Sequence, residues 1–127
     1  MAHVPEELYY SLEHVWLRVQ DGDACLGLTD YAQKHLGVIL FADGEPEGSE
    51  LSSGDVAGVA EGVKGAVDVL TPVAGVIIAF NRTLTDAPER INDAPYDCWL
   101  VKLALREIGE LDGLMRAGEY ADYCAGL

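Results

Sequence analysis

The sequence has few basic residues and no long hydrophobic run. Eight lysines and arginines stand against 22 acidic residues in 127 positions, which gives a net charge of −14. A surface this acidic is repelled by nucleic acid and by anionic membranes, so we expect neither as a partner. No apolar stretch approaches the length needed to span a bilayer. Residues 1–8 lack the basic start of a secretory signal, so we expect no such signal.

Cysteines are also few. Cys25, Cys98 and Cys124 are an odd number and include no CxxC pair. This pattern argues against a disulfide framework and against a zinc site, and it is typical of a reducing compartment. We therefore predict no metal ligands and a cytoplasmic location. The length of 127 residues predicts one domain, 1–127, and because half of the residues are hydrophobic we predict that it is globular. We also expect a monomer.

Short apolar segments separated by turns predict a mostly β fold. Thr29 as N-cap and Gly37 just after the end bound a short internal helix, and segments 106–115 and 118–124 predict C-terminal helices. Trp16 and Trp99 are predicted to lie in the core with the Val and Leu residues of the strands. Strands are predicted at 15–19, 24–28, 38–41, 56–60, 66–70, 76–80 and 98–103. This order indicates a small β-sandwich or flattened barrel with added helices.

Lys64 lies at the centre of a predicted tight hairpin. Gly62 and Gly65 flank it and would supply the backbone freedom of a sharp turn. A single amine held out on a rigid tip is what a covalent cofactor attachment site requires. The alternative interpretation is an ordinary solvated lysine in a turn.

The segment Glu61-Gly62-Val63-Lys64-Gly65 resembles the lipoyl-attachment motif of the H-protein family of the glycine cleavage system. That motif reads Glu-Ser-Val-Lys-Ala and is followed by Ser-Asp or Ser-Glu. Other segments resemble the family in the same order along the chain, from about residue 10 to residue 124. These are Glu-His-Val-Trp-Leu-Arg at 13–18, Gly-Leu-Thr-Asp-Tyr-Ala-Gln at 27–33, Pro-Val-Ala-Gly at 72–75, the run 81–92, Pro-Tyr-Asp-Cys-Trp-Leu-Val-Lys at 95–102 and Glu-Tyr at 119–120.

The resemblance implies the hybrid barrel of lipoyl and biotinyl domains, and a carrier rather than an enzyme. It implies lipoate bound covalently to Lys64. Biotin is disfavoured because biotinyl domains generally have Met on both sides of the lysine. The implied partners are a lipoate-protein ligase or lipoyl synthesis enzymes, and larger oxidoreductases or transferases. The residues implied around the cofactor are Glu61, Gly62, Val63, Gly65, Asp68 and His35.

Four positions depart from the family motifs. Val15 replaces a Glu, Val38 replaces the usual Asp or Glu, and Gly62 and Val67 replace serines. An aminomethyl cargo is cationic and needs acceptors around it, so the two valines favour another cargo. We interpret the chain as a divergent H-like lipoate-binding protein. It would shuttle sulfur intermediates for a heterodisulfide-reductase-like complex in sulfur oxidation.

Three other interpretations are open. The chain could be an H protein that carries the aminomethyl group between glycine-cleavage enzymes. It could be a thiol-redox protein that uses Cys98 and Cys124 directly, or it could have another role or be an unmodified paralogue. The acidic stretch 43–55 would serve solubility, or would steer a carrier toward basic clefts on larger enzymes.

Overall fold

Two antiparallel sheets form the fold, which the computed structural model describes over residues 4–127. The strands are β1 (Tyr9–Tyr10), β2 (Val15–Gln20), β3 (Asp23–Leu28), β4 (Ile39–Gly44), β5 (Glu50–Leu51), β6 (Val56–Gly62), β7 (Gly65–Leu70), β8 (Gly75–Phe80) and β9 (Val101–Leu105). Six strands pair in the order β1-β2-β3-β9-β8-β5, and three pair in the order β4-β6-β7. Because the two sheets do not pair with each other, the predicted hybrid barrel is a flattened sandwich rather than a closed barrel.

Short helices fill the connections and the C-terminal end. They are α1 (Asp30–Leu36), α2 (Thr83–Asp86), α3 (Arg90–Asp93), the 3₁₀ helix Ile108–Gly113 and α4 (Ala117–Ala125). Over residues 4–127, no helix is both long enough and apolar enough to cross a bilayer. The segment 1–8, for which we expect no secretory signal, is described only from Val4 onward.

The predicted strands are present, and the structure adds two short ones, β1 and β5, that the sequence analysis does not predict. The predicted helix at 106–115 is the 3₁₀ helix Ile108–Gly113. The largest difference is around residues 81–100. There the sequence predicts a polar loop and an early strand, but α2 and α3 are present and β9 begins only at Val101. Each of these helices has a single turn, which is too short to show a helical period. Leu84 and Ile91 anchor them in the core, where both side chains are buried.

The core has two parts, and only one of the two tryptophans is fully buried. Trp16 is 0% exposed and packs with Tyr10, Tyr96 and Tyr120 in a smaller cluster beside the main core between the sheets. Trp99 is only half-buried at the edge of that cluster. The prediction that Trp99 is a core residue is therefore wrong.

Helix α1 begins and ends where the sequence predicts. The Thr29 hydroxyl accepts a hydrogen bond from the Ala32 N–H at 3.2 Å, which is the usual N-cap contact. Gly37 follows the helix with φ of 70° and donates its N–H to the Gln33 carbonyl at 3.0 Å. This end of α1 is the surface against which the lysine hairpin packs.

Candidate functional site: the lysine hairpin

Lys64 lies at the tip of the hairpin formed by β6 and β7. The two strands pair in register as far as Gly62 and Gly65, so Val63 and Lys64 form a two-residue turn. Both turn residues are exposed. The predicted hairpin is confirmed, and its strands reach two residues closer to the tip on β6 and one residue closer on β7 than the sequence predicts.

The two glycines beside the lysine do not provide unusual backbone conformations. Neither Gly62 nor Gly65 has a positive φ, although four other glycines among residues 4–127 do. The turn-flexibility role predicted for them is therefore wrong. A Cβ atom on Gly62 would lie well inside van der Waals contact of the Leu36 carbonyl oxygen, whereas a Cβ on Gly65 would meet nothing within 4 Å. Gly62 is thus needed for close approach to α1, and Gly65 is not.

Two backbone hydrogen bonds attach the hairpin tip to the end of α1. The Lys64 N–H donates to the Leu36 carbonyl, and the Val63 N–H donates to the Val38 carbonyl, both at 3.0 Å. Gly37, between these acceptors, also allows close packing, because a Cβ there would lie 2.7 Å from Val63 Cγ2. The backbone of Lys64 is therefore fixed while its side chain points outward.

Asn92 on α3 holds in place the segment 36–38, whose carbonyl groups accept the hydrogen bonds of the hairpin tip. Its side-chain amide donates to the Gly37 carbonyl at 2.9 Å, and its Oδ1 accepts from the Ile39 N–H at 2.8 Å. One side chain thus holds the chain on both sides of Val38. The sequence shows Asn92 only as part of a matched motif, because its partners lie more than fifty positions away.

The side chain of Lys64 is less engaged than those of the other two lysines. Its Nζ has one long hydrogen bond, 3.4 Å to the Lys34 carbonyl, and none of the ion pairs among residues 4–127 includes it. Lys34 is paired with Asp30 at 3.0 Å. Lys102 is half-buried, with its ammonium 5.7 Å from the centre of the Trp99 ring. Of the three lysines, Lys64 is therefore the one whose amine is least engaged with other groups.

The carboxylates of the predicted site lie on one face of the hairpin. Asp68 pairs in register with Val59, and Glu61, two residues beyond Val59, pairs with Ala66. Because opposite residues and alternate residues share a face, the Glu61 and Asp68 side chains project from the same side. Both are exposed, and the structure places them close to the tip without a direct bond to Lys64 Nζ.

His35 lies at the end of a stack of rings that the sequence does not reveal. Its ring lies 4.3 Å from that of Tyr31, which lies 4.4 Å from that of His14, which in turn lies 5.6 Å from that of Tyr123 on α4. His14 Nδ1 is also 2.7 Å from the Tyr120 hydroxyl. The stack therefore links α4 to α1, next to the lysine hairpin. No sequence spacing connects positions 14, 31 and 123, so only the fold shows it.

Burial, and secondarily the charge of His35, lowers the pKa of His14 below its ordinary value. The unfolded chain then takes up a proton at a higher pH than the folded chain does, so stability should fall as the pH drops through the ordinary histidine range. We expect a lower denaturant midpoint at about pH 5.5 than at about pH 7.5, and a smaller difference in His14→Gln. An equal pH difference in both proteins would contradict this assignment.

The two glycines beside Lys64 offer a matched test of the packing. Gly62→Ala should destabilise the protein by about 1–3 kcal/mol, because its methyl group collides with the backbone of α1. Gly65→Ala should change stability by less than about 1 kcal/mol, since its methyl group enters open space. Denaturant unfolding of the two variants measures the difference. Equal midpoints would show that the tip is not packed on α1.

The two valines that depart from the family motifs lie in different surroundings. Val15 is 1% exposed in the main core, whereas Val38 is 54% exposed beside the hairpin tip. Val15 therefore has no surface with which to contact a cargo. The sequence interpretation that both valines remodel one cargo pocket is not supported.

A surface cleft of about 770 Å³ lies away from the lysine. It is lined by residues 4–7 and 93–97 together with Arg18 and Asp30, and it contains no residue of the hairpin. The candidate site is therefore a projecting tip rather than a cavity. Such a site suits a protein that presents a bound group to others.

Comparisons with known proteins agree with this geometry. The family model described as glycine cleavage H-protein matches residues 8–126. The glycine cleavage system H protein of Marinobacter nauticus is 46% identical over 98% of both chains, and that of Thermoanaerobacter sp. is 44% identical over 94% of this chain and 95% of its own. The crystal structure of a glycine cleavage system H protein from Mycobacterium marinum superposes with a TM-score of 0.86 at 30% identity. It covers 98% of this chain and 100% of its own.

Proposed function

This chain belongs to the glycine cleavage H-protein family, and we propose that it is the lipoyl carrier of a glycine cleavage system. Proteins of the family carry lipoate covalently on a lysine and are carriers rather than catalysts. The observation that carries the proposal is the position of Lys64, exposed at a hairpin tip whose backbone is bonded to the end of α1.

The residues around Lys64 fit such a group. The amine is exposed and free of ion pairs among the described residues, so an acyl group can reach it. Bound lipoate supplies a strained, exposed disulfide that opens by thiol exchange. Glu61 and Asp68 give the hairpin face a negative charge, which suits a cationic cargo such as an aminomethyl group. The bonds from Lys64 and Val63 to α1 hold the root of the arm.

The sulfur-carrier interpretation is not supported. The relatives and the solved structure named above are all glycine cleavage H proteins. The sequence argument for a sulfur cargo also loses one of its two valines, because Val15 is a core residue. A thiol-redox role that uses Cys98 and Cys124 is disfavoured at Cys98, because burial raises the pKa of that thiol and so disfavours the reactive thiolate.

The proposal includes partners and a location. We propose that the chain receives lipoate from a lipoate-protein ligase or from lipoyl synthesis enzymes, and that it then serves the glycine-cleavage enzymes. All three cysteines are free thiols, which is the state expected in a reducing compartment. We therefore propose a cytoplasmic location.

The proposed pathway can be tested with glycine decarboxylase. The lipoylated protein should support exchange of labelled carbon dioxide into the carboxyl group of glycine. The unmodified protein at the same concentration should give only the background rate, because the carrier acts through its bound group. Full lipoylation without exchange above that background would refute the glycine-cleavage role while leaving the carrier role intact.

A further inference from the structure

An exposed apolar patch adjoins Lys64. We call this surface the tip patch. It consists of the side chains of Val38, Leu40, Phe41 and Val63, which are 54, 62, 47 and 61% exposed, respectively. All four residues lie near the tip, because the Val63 N–H bonds to the Val38 carbonyl and Phe41 lies opposite Glu61 in the sheet. Large apolar side chains grouped on a surface in this way mark interaction sites.

A β-bulge enlarges the patch. Ile39 pairs with Gly62 and Phe41 pairs with Glu61, which leaves Leu40 as the extra residue of the bulge. In a regular strand, neighbouring side chains point to opposite faces, so one of two consecutive residues would be buried. The bulge instead leaves Leu40 and Phe41 both exposed, at the point where β4 runs beside the lysine.

Exposed carboxylates border the tip patch. Phe41 and Glu61 are opposite each other, and Asp43, Val59 and Asp68 form the next row across the same face. Asp43, Glu61 and Asp68 are all exposed. The complementary surface on a partner is therefore apolar at its centre and basic at its rim.

We propose that the tip patch and its acidic border bind the active-site entrance of the enzyme that attaches lipoate to Lys64. This inference rests on the proposed attachment at that residue. The reach of the arm selects this partner. In an extended lipoyl-lysine the sulfurs lie roughly 14 Å from the lysine Cα, at about 1.2 Å per bond. Enzymes that act on the sulfurs can stay at that distance, but the attaching enzyme must reach Nζ itself and therefore contacts Val63 and Val38.

The chemistry of attachment requires the complementary surface. The deprotonated Lys64 amine attacks the carbonyl carbon of a lipoyl adenylate. The amide C–N bond forms, the bond between that carbon and the phosphate oxygen breaks, AMP leaves with the electron pair, and the nitrogen releases one proton to a base of the enzyme or to water. An enzyme that holds this substrate must accommodate an apolar eight-carbon acyl chain and neutralise a phosphate with cations. An entrance that shares this apolar and basic character would match the tip patch and the acidic border.

The test uses the full chain with a lipoate-protein ligase, lipoate and ATP. The initial rate of lipoylation is followed by intact mass at a carrier concentration far below saturation. Leu40→Ser combined with Phe41→Ser should lower this rate about tenfold, because the apolar contact is lost. Ile108→Ser is the matched control: its side chain is 64% exposed, in the 3₁₀ helix. That helix contacts Ala74, which follows β7 at the end of the hairpin remote from Lys64. Ile108→Ser should stay within about twofold of wild type.

Salt dependence supplies a second measurement that does not require apolar substitutions. Raising the salt concentration should slow lipoylation of the wild type, and the effect should be smaller in Asp43→Asn. If the wild type is modified at Lys64 and the patch variant is lipoylated as fast as Ile108→Ser, the tip patch is not the docking surface. The proposed function would still stand. Patch variants that are lipoylated normally but fail only with glycine decarboxylase would also overturn the docking surface. Wild type that takes no lipoate at Lys64 would instead refute the attachment itself.

Discussion

Replacing Lys64 with arginine is expected to abolish lipoate attachment completely. Arginine keeps the positive charge and the length of the side chain, but its guanidinium is not an acyl acceptor at neutral pH. Incubation of the wild type with a lipoate-protein ligase should add the mass of one lipoyl group, and Lys64→Arg should show no added mass. Intact mass spectrometry gives the result directly.

Controls at the other lysines make this test specific. Lys34→Arg and Lys102→Arg should be modified like wild type, because Lys34 is tied to Asp30 and Lys102 lies against Trp99. Lys64→Arg should change the free energy of unfolding by no more than about 0.5 kcal/mol, since the side chain is exposed. Mass added at Lys34 or Lys102 instead would refute Lys64 as the attachment site.

Trp16→Ala should cause the largest loss of stability among the substitutions considered, about 3–5 kcal/mol. The indole is fully buried, and its Nε1–H donates to the Pro95 carbonyl at 3.0 Å. Gly27 lies against it so closely that a Cβ there would be 2.5 Å from the indole ring. Truncation therefore opens a cavity and leaves a carbonyl without its donor. Denaturant unfolding measures the change.

Trp99→Ala is the matched control, because it removes the same side chain from a half-buried position. It should cost less than half as much as Trp16→Ala. The Asn81 amide bonds to the Trp99 carbonyl at 2.9 Å, a backbone contact that the substitution keeps. The chain contains two tryptophans, so each variant retains one for fluorescence. Equal losses would show that the two indoles are buried to the same degree.

Local features of the structure could be predicted from the sequence. Thr29 and Gly37 bound α1 as expected, because capping depends on the residue and its nearest neighbours. The lysine hairpin was also predictable, since two apolar segments separated by a short turn favour antiparallel pairing. Motif order along the chain was sufficient for the family, because it does not depend on contacts.

Features that depend on contacts between distant residues could not be predicted. Gly62 looks like a turn residue in the sequence, but the structure requires glycine there because a side chain would collide with the Leu36 carbonyl oxygen. Val15 belongs to a matched motif, yet its side chain points into the core. The stack from His35 to Tyr123 brings together three separate segments. In each case the deciding neighbour is far away in sequence, where no periodic pattern reveals it.

The backbone hydrogen bonds between the hairpin turn and the end of α1 fix the point from which the Lys64 side chain extends. Because the Lys64 and Val63 N–H groups are held by Leu36 and Val38, the freely rotating bonds begin at the lysine side chain. A group attached to Lys64, as we propose, would therefore search a small volume around one fixed point, and the length of the arm would set its effective concentration at a docked enzyme. A looser anchor would widen that volume and dilute the group. If Lys64 carries the proposed arm, the close contact of Gly62 with α1 would influence the rate of delivery without touching the cargo.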